Sequence, residues 1–431
     1  MAAGRRRRNA VNLAAISLVA LLLTLAASCF SRVNVGVLAI VLAWIVGVYV
    51  GGMRIEEVLA GFPAALFLTL VGVTMLFAQA QANGTLDRVA HRAVALCRGV
   101  TGTIPLMFFA LAAMLSSIGP GNIASTALVA PIGMAAAGRY GISAFLMAMM
   151  IANGASAGSL SPVAPTGVIV NGIVARLGLP DVRWAIYVNN LFVHAAIAVG
   201  GYLLLGGWRL LSSRAQAPGA TNGPPEAPPT NGPDHSLEPR HYLTLSVIIA
   251  LIVGVVAIDL HVGMGAFAGA LILSFSGAVD NREAAKHIPW NVIVLVSGVT
   301  VLIALIEKTG GLDLFTAFLA RLATPSTVTG VAAFFTGLIS IYSSTTGVVL
   351  PALLPTVPGL VERLGGGDAM AIVYSMNAGG HLVDVSPLST LGALCLAAAP
   401  EGTDARKLFN QLLAWGLSMS IVGAVVCWLV F

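Results

Sequence analysis

One acid stands apart in this sequence. Asp384 lies in the run Asn377-Ala378-Gly379-Gly380-His381-Leu382-Val383-Asp384-Val385-Ser386-Pro387, and the next acids, Asp368 and Glu401, are each roughly 16 residues away, about 24 Å along a helix. A carboxylate so far inside an apolar stretch is costly to bury, which makes it a candidate cation ligand or proton carrier. The plainer alternative is a structural partner for His381 or for free backbone N–H groups. His381, three positions earlier, is suited to contact an anionic substrate or to hold Asp384. A second run, from Asn153 through Gly154, Ser156, Gly158 and Ser159 to Ser161-Pro162, has the same small and polar character without the acid. Both runs end in Ser-Pro. Serine is a favoured N-cap and proline a favoured first helical residue, so a half-helix is predicted to start at each Ser-Pro, inside the apolar layer. Such a start offers N–H groups and partial positive charge to an anion, and the end of the preceding half-helix offers carbonyls to a cation. No Lys or Arg falls within these segments, so an anion there would be held by dipoles, hydroxyls and a co-bound cation.

The elements that must position these groups are membrane helices. Hydrophobic residues make up 58% of the 431 and charged residues 9%, against roughly a quarter charged in an ordinary globular chain. Mean hydropathy is +0.93, and a water-soluble fold is excluded. Apolar segments near 11–30, 33–53, 63–81, 184–206, 242–259, 262–279, 290–306 and 408–431 have the length that crosses a bilayer. Residues 99–138 and 322–361 are each 40 positions without one Asp, Glu, Lys or Arg. Their midpoints hold Gly119-Pro120-Gly121-Asn122 and Tyr342-Ser343-Ser344-Thr345-Thr346, which read as tips of re-entrant hairpins; two full spans joined by a polar surface turn is the alternative. Non-helical backbone at membrane depth marks a cavity or a site. The candidate substrate contacts are therefore Asn122, Ser125, Thr126, Ser161, Ser344, Thr345, Thr346, His381, Ser386, Ser389 and Thr390. The candidate cation ligands are Asn122, Asn153, Ser156, Ser159, Asn377 and Asp384. For the neutral members the alternative is hydrogen bonding between helices. His194, alone in an apolar helix, reads as a packing residue.

The chain repeats itself. Pro63, Gly72-Val73-Thr74 and Leu86-Asp87 recur 226 positions later as Pro289, Gly298-Val299-Thr300 and Leu312-Asp313. Ser125-Thr126 before Pro131 is echoed by Thr345-Thr346 before Pro351, and Ser161-Pro162 with Gly167 by Ser386-Pro387 with Gly392. The expected organisation is a basic tail (1–10), a first repeat (11–206, hairpin 99–138, broken helix 142–176), a Pro/Gly-rich flexible linker (207–240), and a second repeat (241–431, hairpin 322–361, broken helix 369–400). Each repeat comprises three spans, a charged connector, a hairpin, a broken helix and a final span. That is five crossings, an odd number, so the second repeat runs inverted and the whole is an all-α polytopic membrane protein.

Several classes drop out. Cys29, Cys97, Cys395 and Cys427 are scattered without metal-ligand spacing, so neither a transition-metal site nor a disulfide framework is expected. No cofactor motif, nucleotide loop or nucleophile–base pair argues for an enzyme. The net charge of +5 reports membrane orientation rather than affinity for nucleic acid. The apolar run after Arg5–Arg8 is too long for a signal peptide and lacks a small-residue cleavage site.

At Gly119 to Asn122, Asn153 to Gly167, Ser344 to Pro358 and His381 to Thr390 the chain resembles the MatC-type malonate and dicarboxylate carriers, within the divalent anion:sodium symporter (DASS) and ion transporter superfamily. The resemblance extends over nearly the whole chain. It implies cation-coupled uptake of a small dicarboxylate, malonate or a C4 acid, as a homodimer in the bacterial inner membrane. The hairpins and broken helices would form an elevator-type transport domain against a scaffold. It also implies sodium as coupling ion, with protons the alternative. The symporters carry a Ser-Asn-Thr triplet at each hairpin tip, where this chain has Gly121-Asn122-Ile123 and Ile341-Tyr342-Ser343; the departure leaves stoichiometry and substrate open. The family orientation puts the linker in the cytoplasm, which the Lys and Arg of that face support and Arg5–Arg8 oppose. Two other readings stand beside this one: the membrane subunit of a binding-protein-dependent transporter, and an ion or proton antiporter of the same superfamily.

Overall fold

The computed structural model describes residues 2–30, 33–86, 88–89, 101–211, 237–400 and 402–431. Most of the charged connector from Asp87 to Arg98, the first two hairpin residues, the body of the linker and Glu401 lie outside them. The described chain is helical: α1 (Ala2–Phe30), α2 (Val35–Val50), α3 (Ala64–Ala82), α4 (Thr103–Ile118), α5 (Gly121–Tyr140), α6 (Ala144–Gly158), α7 (Pro165–Arg176), α8 (Arg183–Leu204), α9 (Pro239–Ile258), α10 (Val262–Phe275), α11 (Trp290–Thr309), α12 (Gly311–Ala320), α13 (Val328–Ser340), α14 (Thr345–Leu364), α15 (Ala369–Leu382), α16 (Thr390–Ala397) and α17 (Ala405–Val430).

Helix ends follow local chemistry. Asn34, Asp368 and Asp404 accept backbone N–H groups at the starts of α2, α15 and α17, as favoured N-caps do. Gly141, Gly310 and Gly365 close α5, α11 and α14 in the left-handed conformation.

Among the described residues eight helical stretches are long and apolar enough to cross a membrane: α3, α5, α8, α9, α11, α14, α15 with α16, and α17. Five coincide with spans expected from the sequence. The second arm of each hairpin and the second broken helix, α15 with α16, join them, whereas α10 stops at Phe275, short of the expected end near 279, because Ser276-Gly277 turns the chain. Helix α1 takes in residues 2–10, read from the sequence as a tail. Helices α9 and α17 have only 28% of their apolar windows buried. They present Ile249, Val253, Val256, Ile421 and Leu429 outward, and an apolar face turned away from the protein is a face for lipid. The chain is thus a multi-pass membrane protein.

Packing separates two groups of helices. In one, α4, α5, α6, α8, α13, α15, α16 and α17 pack chiefly on each other. Within it α6 is sealed, with every residue from Phe145 to Gly158 buried. In the other, α2 crosses α11 and α3 crosses α10, with α1, α9 and α12 alongside. These two crossings correspond. A Cβ on Gly298 would stand 2.1 Å from Gly36 O, and one on Gly72 would stand 2.5 Å from Gly263 O. Only glycine lets the backbones approach this closely. Gly298 and Gly72 are the residues that repeat 226 positions apart. Helices α7 and α14 lie between the groups, against α3, α11 and α12.

Candidate functional site

Both hairpin tips reach the start of α7, and the second tip also touches the second helix break. The first tip is the turn Gly119-Pro120 between α4 and α5, and a Cβ on Gly121 would lie 3.3 Å from Pro165 Cδ. The second tip, residues 341–344 between α13 and α14, brings Thr346 Oγ1 to 3.4 Å from Thr166 Oγ1. Thr346 Oγ1 is also 3.5 Å from His381 Nε2. Thr345 Oγ1 donates to Asp384 Oδ1 (2.9 Å) and lies 3.2 Å from Gly380 O. Ser389 Oγ donates to the same carboxylate oxygen at 3.1 Å. A chain of side chains thus runs from Thr166 through Thr346 to His381, with the Thr345–Asp384–Ser389 cluster beside it.

The helix breaks differ from the sequence expectation in register. Helix α7 starts at Pro165 with Ala164 as N-cap, and α16 at Thr390 with Ser389 as N-cap. Neither starts at its Ser-Pro. Instead Ala164 N donates to Ser161 O (2.9 Å) and Ser389 N donates to Ser386 O (3.0 Å). Each Ser-Pro therefore opens a four-residue turn, with proline at the second position, where its fixed φ also fits. A helix resumes only after that turn closes. Gly167 and Gly392 permit the tight restart, since a Cβ on them would sit 2.0 Å from Ser161 O and 2.2 Å from Ser386 O.

Asp384 lies in a 3-10 turn after α15 and is 5% exposed. No ion pair involving it occurs among the described residues, and its recorded partners are hydroxyls. His381 does not hold it. The imidazole Nδ1 faces Asn377 O at 2.8 Å. A carbonyl only accepts, so Nδ1 carries a proton, while Nε2 faces Thr346 Oγ1, whose own hydrogen is given to Thr166.

The first half is arranged differently. Asn153 and Asn377 correspond, each donating to a carbonyl one turn back, Met149 O (3.0 Å) and Val373 O (2.8 Å). Both leave a buried Oδ1 without a partner. Ser159, at the position corresponding to Asp384, donates to Ser156 O at 2.8 Å. Ser125 Oγ, Thr126 Oγ1 and Ser156 Oγ are buried and have no hydrogen-bond partner among the described residues. A buried oxygen left unpaired costs about 1–3 kcal/mol. Asn122 is buried in the first turn of α5, and its Oδ1 accepts from the next backbone N–H. Ser161 and Ser386 are buried, whereas Ser344 and Thr390 are exposed.

Sequence reasoning missed two residues. Thr166 ties the second hairpin to the first broken helix; its place after Pro165, between Ser161-Pro162 and Gly167, was the available signal. Asn190 on α8 donates to Ser156 O (2.8 Å) and lies 3.2 Å from Ala157 O, and so caps the end of α6. Its signal was an Asn pair in an apolar helix. His194, one turn further on, is fully buried with neither ring nitrogen partnered.

The comparisons with known proteins fit this arrangement. Residues 10–159 match the family model for the N-terminus of dicarboxylate carrier protein MatC. The match runs from α1 through α6 and takes in the first hairpin. Over the whole chain the fold is similar to that of the YdaH transporter of Alcanivorax borkumensis, at TM-score 0.56 and 16% identity, covering 98% of each chain. It is similar also to MtrF of Neisseria gonorrhoeae, described as illuminating a class of antimetabolite efflux pumps, at TM-score 0.56 and 12% identity, covering 98% of this chain and 94% of that one. No curated protein matches the sequence. The all-helical polytopic fold expected from the sequence is thereby shown.

Proposed function

We propose that this protein is a secondary active carrier that takes up a small dicarboxylate, malonate or a C4 acid, together with sodium ions. The observation that carries the reading is Asp384: a buried carboxylate among hydroxyls, with no basic partner among the described residues, where a hairpin tip meets a helix break. An oxygen-only setting with one negative charge suits a hard cation. The unpaired oxygens of Ser125 and Thr126 on α5 and of Asn153 and Ser156 on the adjoining α6 are further neutral oxygens that a cation could take. Bound cations then supply the positive charge that the site's side chains lack, and the substrate carboxylates take hydroxyl and helix-end donors around Thr166, Thr346 and Ser389. The match to the MatC model supports dicarboxylates as the substrate class.

In this proposal the two halves are inverted repeats and their hairpins re-enter the bilayer rather than cross it. The hairpin-bearing group of helices moves as one body against the frame of α1–α3 and α9–α12, carrying the site across as an elevator does, and the carrier works as a homodimer in the inner membrane. Uptake of radiolabelled malonate and succinate into proteoliposomes, with sodium and proton gradients imposed separately, tests the reading. Accumulation driven by the sodium gradient and competed by other dicarboxylates is expected. Accumulation driven by the proton gradient alone would replace sodium with a proton held at Asp384, and no accumulation under either gradient would overturn the carrier assignment.

A further inference from the structure

The two groups of helices are joined at one face by ion pairs. Arg183 opens α8, in the hairpin-bearing group. Its Nη1 lies 2.9 Å from Oδ1 of Asp259, which follows α9 in the frame, and its Nε lies 3.0 Å from both carboxylate oxygens of Asp181. Arg363, at the end of α14, the hairpin arm that lies between the groups, is 3.8 Å from Asp313 on α12 of the frame. Following the chain through its alternate crossings, both pairs fall at the face opposite the linker, where α9 ends and α10 begins. The remaining described ion pairs, Arg54–Glu57, Arg88–Glu238, Arg240–Glu238 and Lys286–Glu283, stay within the frame.

Asp259 is built for its place. It is the single non-glycine residue with positive φ among those described, at φ 51 and ψ 38, and the backbone N–H of Leu260 just after it closes α9 on Gly254 O at 3.1 Å. Aspartate tolerates this left-handed conformation better than most residues, and the cap aims its carboxylate across the boundary at Arg183. On the other side, hydrogen bonding to the same guanidinium holds the Asp181 carboxyl below the usual carboxylate range. One arginine is thus shared between an acid of its own group and an acid of the frame.

We propose that Arg183–Asp259, seconded by Arg363–Asp313, is an ionic latch that holds the mobile body to the frame at this face and biases the carrier toward the state seen here. The inference rests on the moving-body part of the proposed function. Side-chain exposure is 31% for Arg183 and 77% for Asp259. An exposed pair shifts a two-state equilibrium by about fivefold at most, enough to set a resting bias that substrate binding can overcome.

The test is a distance measurement that does not need transport. Spin labels are attached at Pro180→Cys and Ile258→Cys in a chain whose four native cysteines are replaced by serine, reconstituted in nanodiscs, and read by pulsed electron resonance. A dominant short distance is expected. Asp259→Asn, or raised ionic strength from N-methylglucamine chloride at constant sodium, should enlarge a longer-distance population several-fold, and the charge swap Arg183→Asp with Asp259→Arg should restore the short one. A single distance unchanged by Asp259→Asn and by salt overturns the latch. So does a swap that fails to restore the short distance in a chain shown to be folded by its circular dichroism. Wild-type uptake measured in parallel separates the two ideas: uptake with one fixed distance removes the latch and keeps the carrier, whereas two salt-sensitive distances without uptake keep the latch and remove the dicarboxylate reading.

Discussion

Replacing Asp384 with asparagine removes one charge and little else. Asn keeps an oxygen where Oδ1 accepts the hydroxyls of Thr345 and Ser389 at 2.9 and 3.1 Å, so the turn between α15 and α16 should survive. The cost falls on the cation. Two unit charges about 4 Å apart attract by about 4 kcal/mol at an effective dielectric of about 20. At about 1.4 kcal/mol per factor of ten, the lost attraction weakens sodium binding roughly a thousandfold. Sodium titrations of dicarboxylate uptake in proteoliposomes read this directly: the half-saturating sodium concentration of Asp384→Asn should move beyond the attainable range and uptake should fall to background, while the purified protein keeps its helix content and elution volume. A variant that transports with the wild-type sodium dependence would show that Asp384 is not a cation ligand, and the reasoning from its burial would fail.

Three further substitutions probe the surroundings. Thr345→Val deletes a hydrogen bond to a charged group, about 1.5–3 kcal/mol, and should raise the half-saturating sodium concentration roughly tenfold to a hundredfold; Thr345→Ser should stay near wild type in the same titration. Gly392→Ala forces a methyl to within 2.2 Å of Ser386 O and should open the turn and abolish uptake, whereas Gly172→Ala, whose nearest neighbour would be 3.5 Å away, should transport normally in the same assay. Gly298→Ala pushes α2 off α11 and should cost about 1–3 kcal/mol by overpacking. That loss is read as a lowered melting temperature in detergent, with Gly200→Ala, which meets open space, as the neutral control.

Much of the fold is legible because charge is so scarce. Long segments without Asp, Glu, Lys or Arg fall within the helices, and clusters of Gly, Pro, Asn and Ser in them coincide with interruptions at 119–120, 159–164, 341–344 and 383–389. Asp384 stands out by isolation alone. The register of the breaks is not legible, since Ser-Pro suits both an N-cap and the opening of a turn. Only the bonds from Ala164 to Ser161 and from Ser389 to Ser386 decide between them. Nor does a spacing of three reveal that His381 and Asp384 part company. A helical pair at that spacing would share a face, but α15 gives way to a 3-10 turn after Leu382, and the two side chains find Thr346 and Thr345 respectively. Contacts between the halves, such as Thr166 with Thr346, depend on tertiary packing that no local pattern encodes.

The central claim is that interrupted helices and hairpin tips enclose an anion and its cations at the middle of the membrane without a basic side chain. A cryo-electron microscopy map of the protein in lipid nanodiscs, with malonate and sodium present, tests it most directly. Ligand density bounded by Thr166, Thr346 and Ser389 near the bilayer midplane is expected, with a cation against Asp384. Density elsewhere, or hairpin turns at Gly119-Pro120 and residues 341–344 standing at the lipid surface in bulk water, would contradict it.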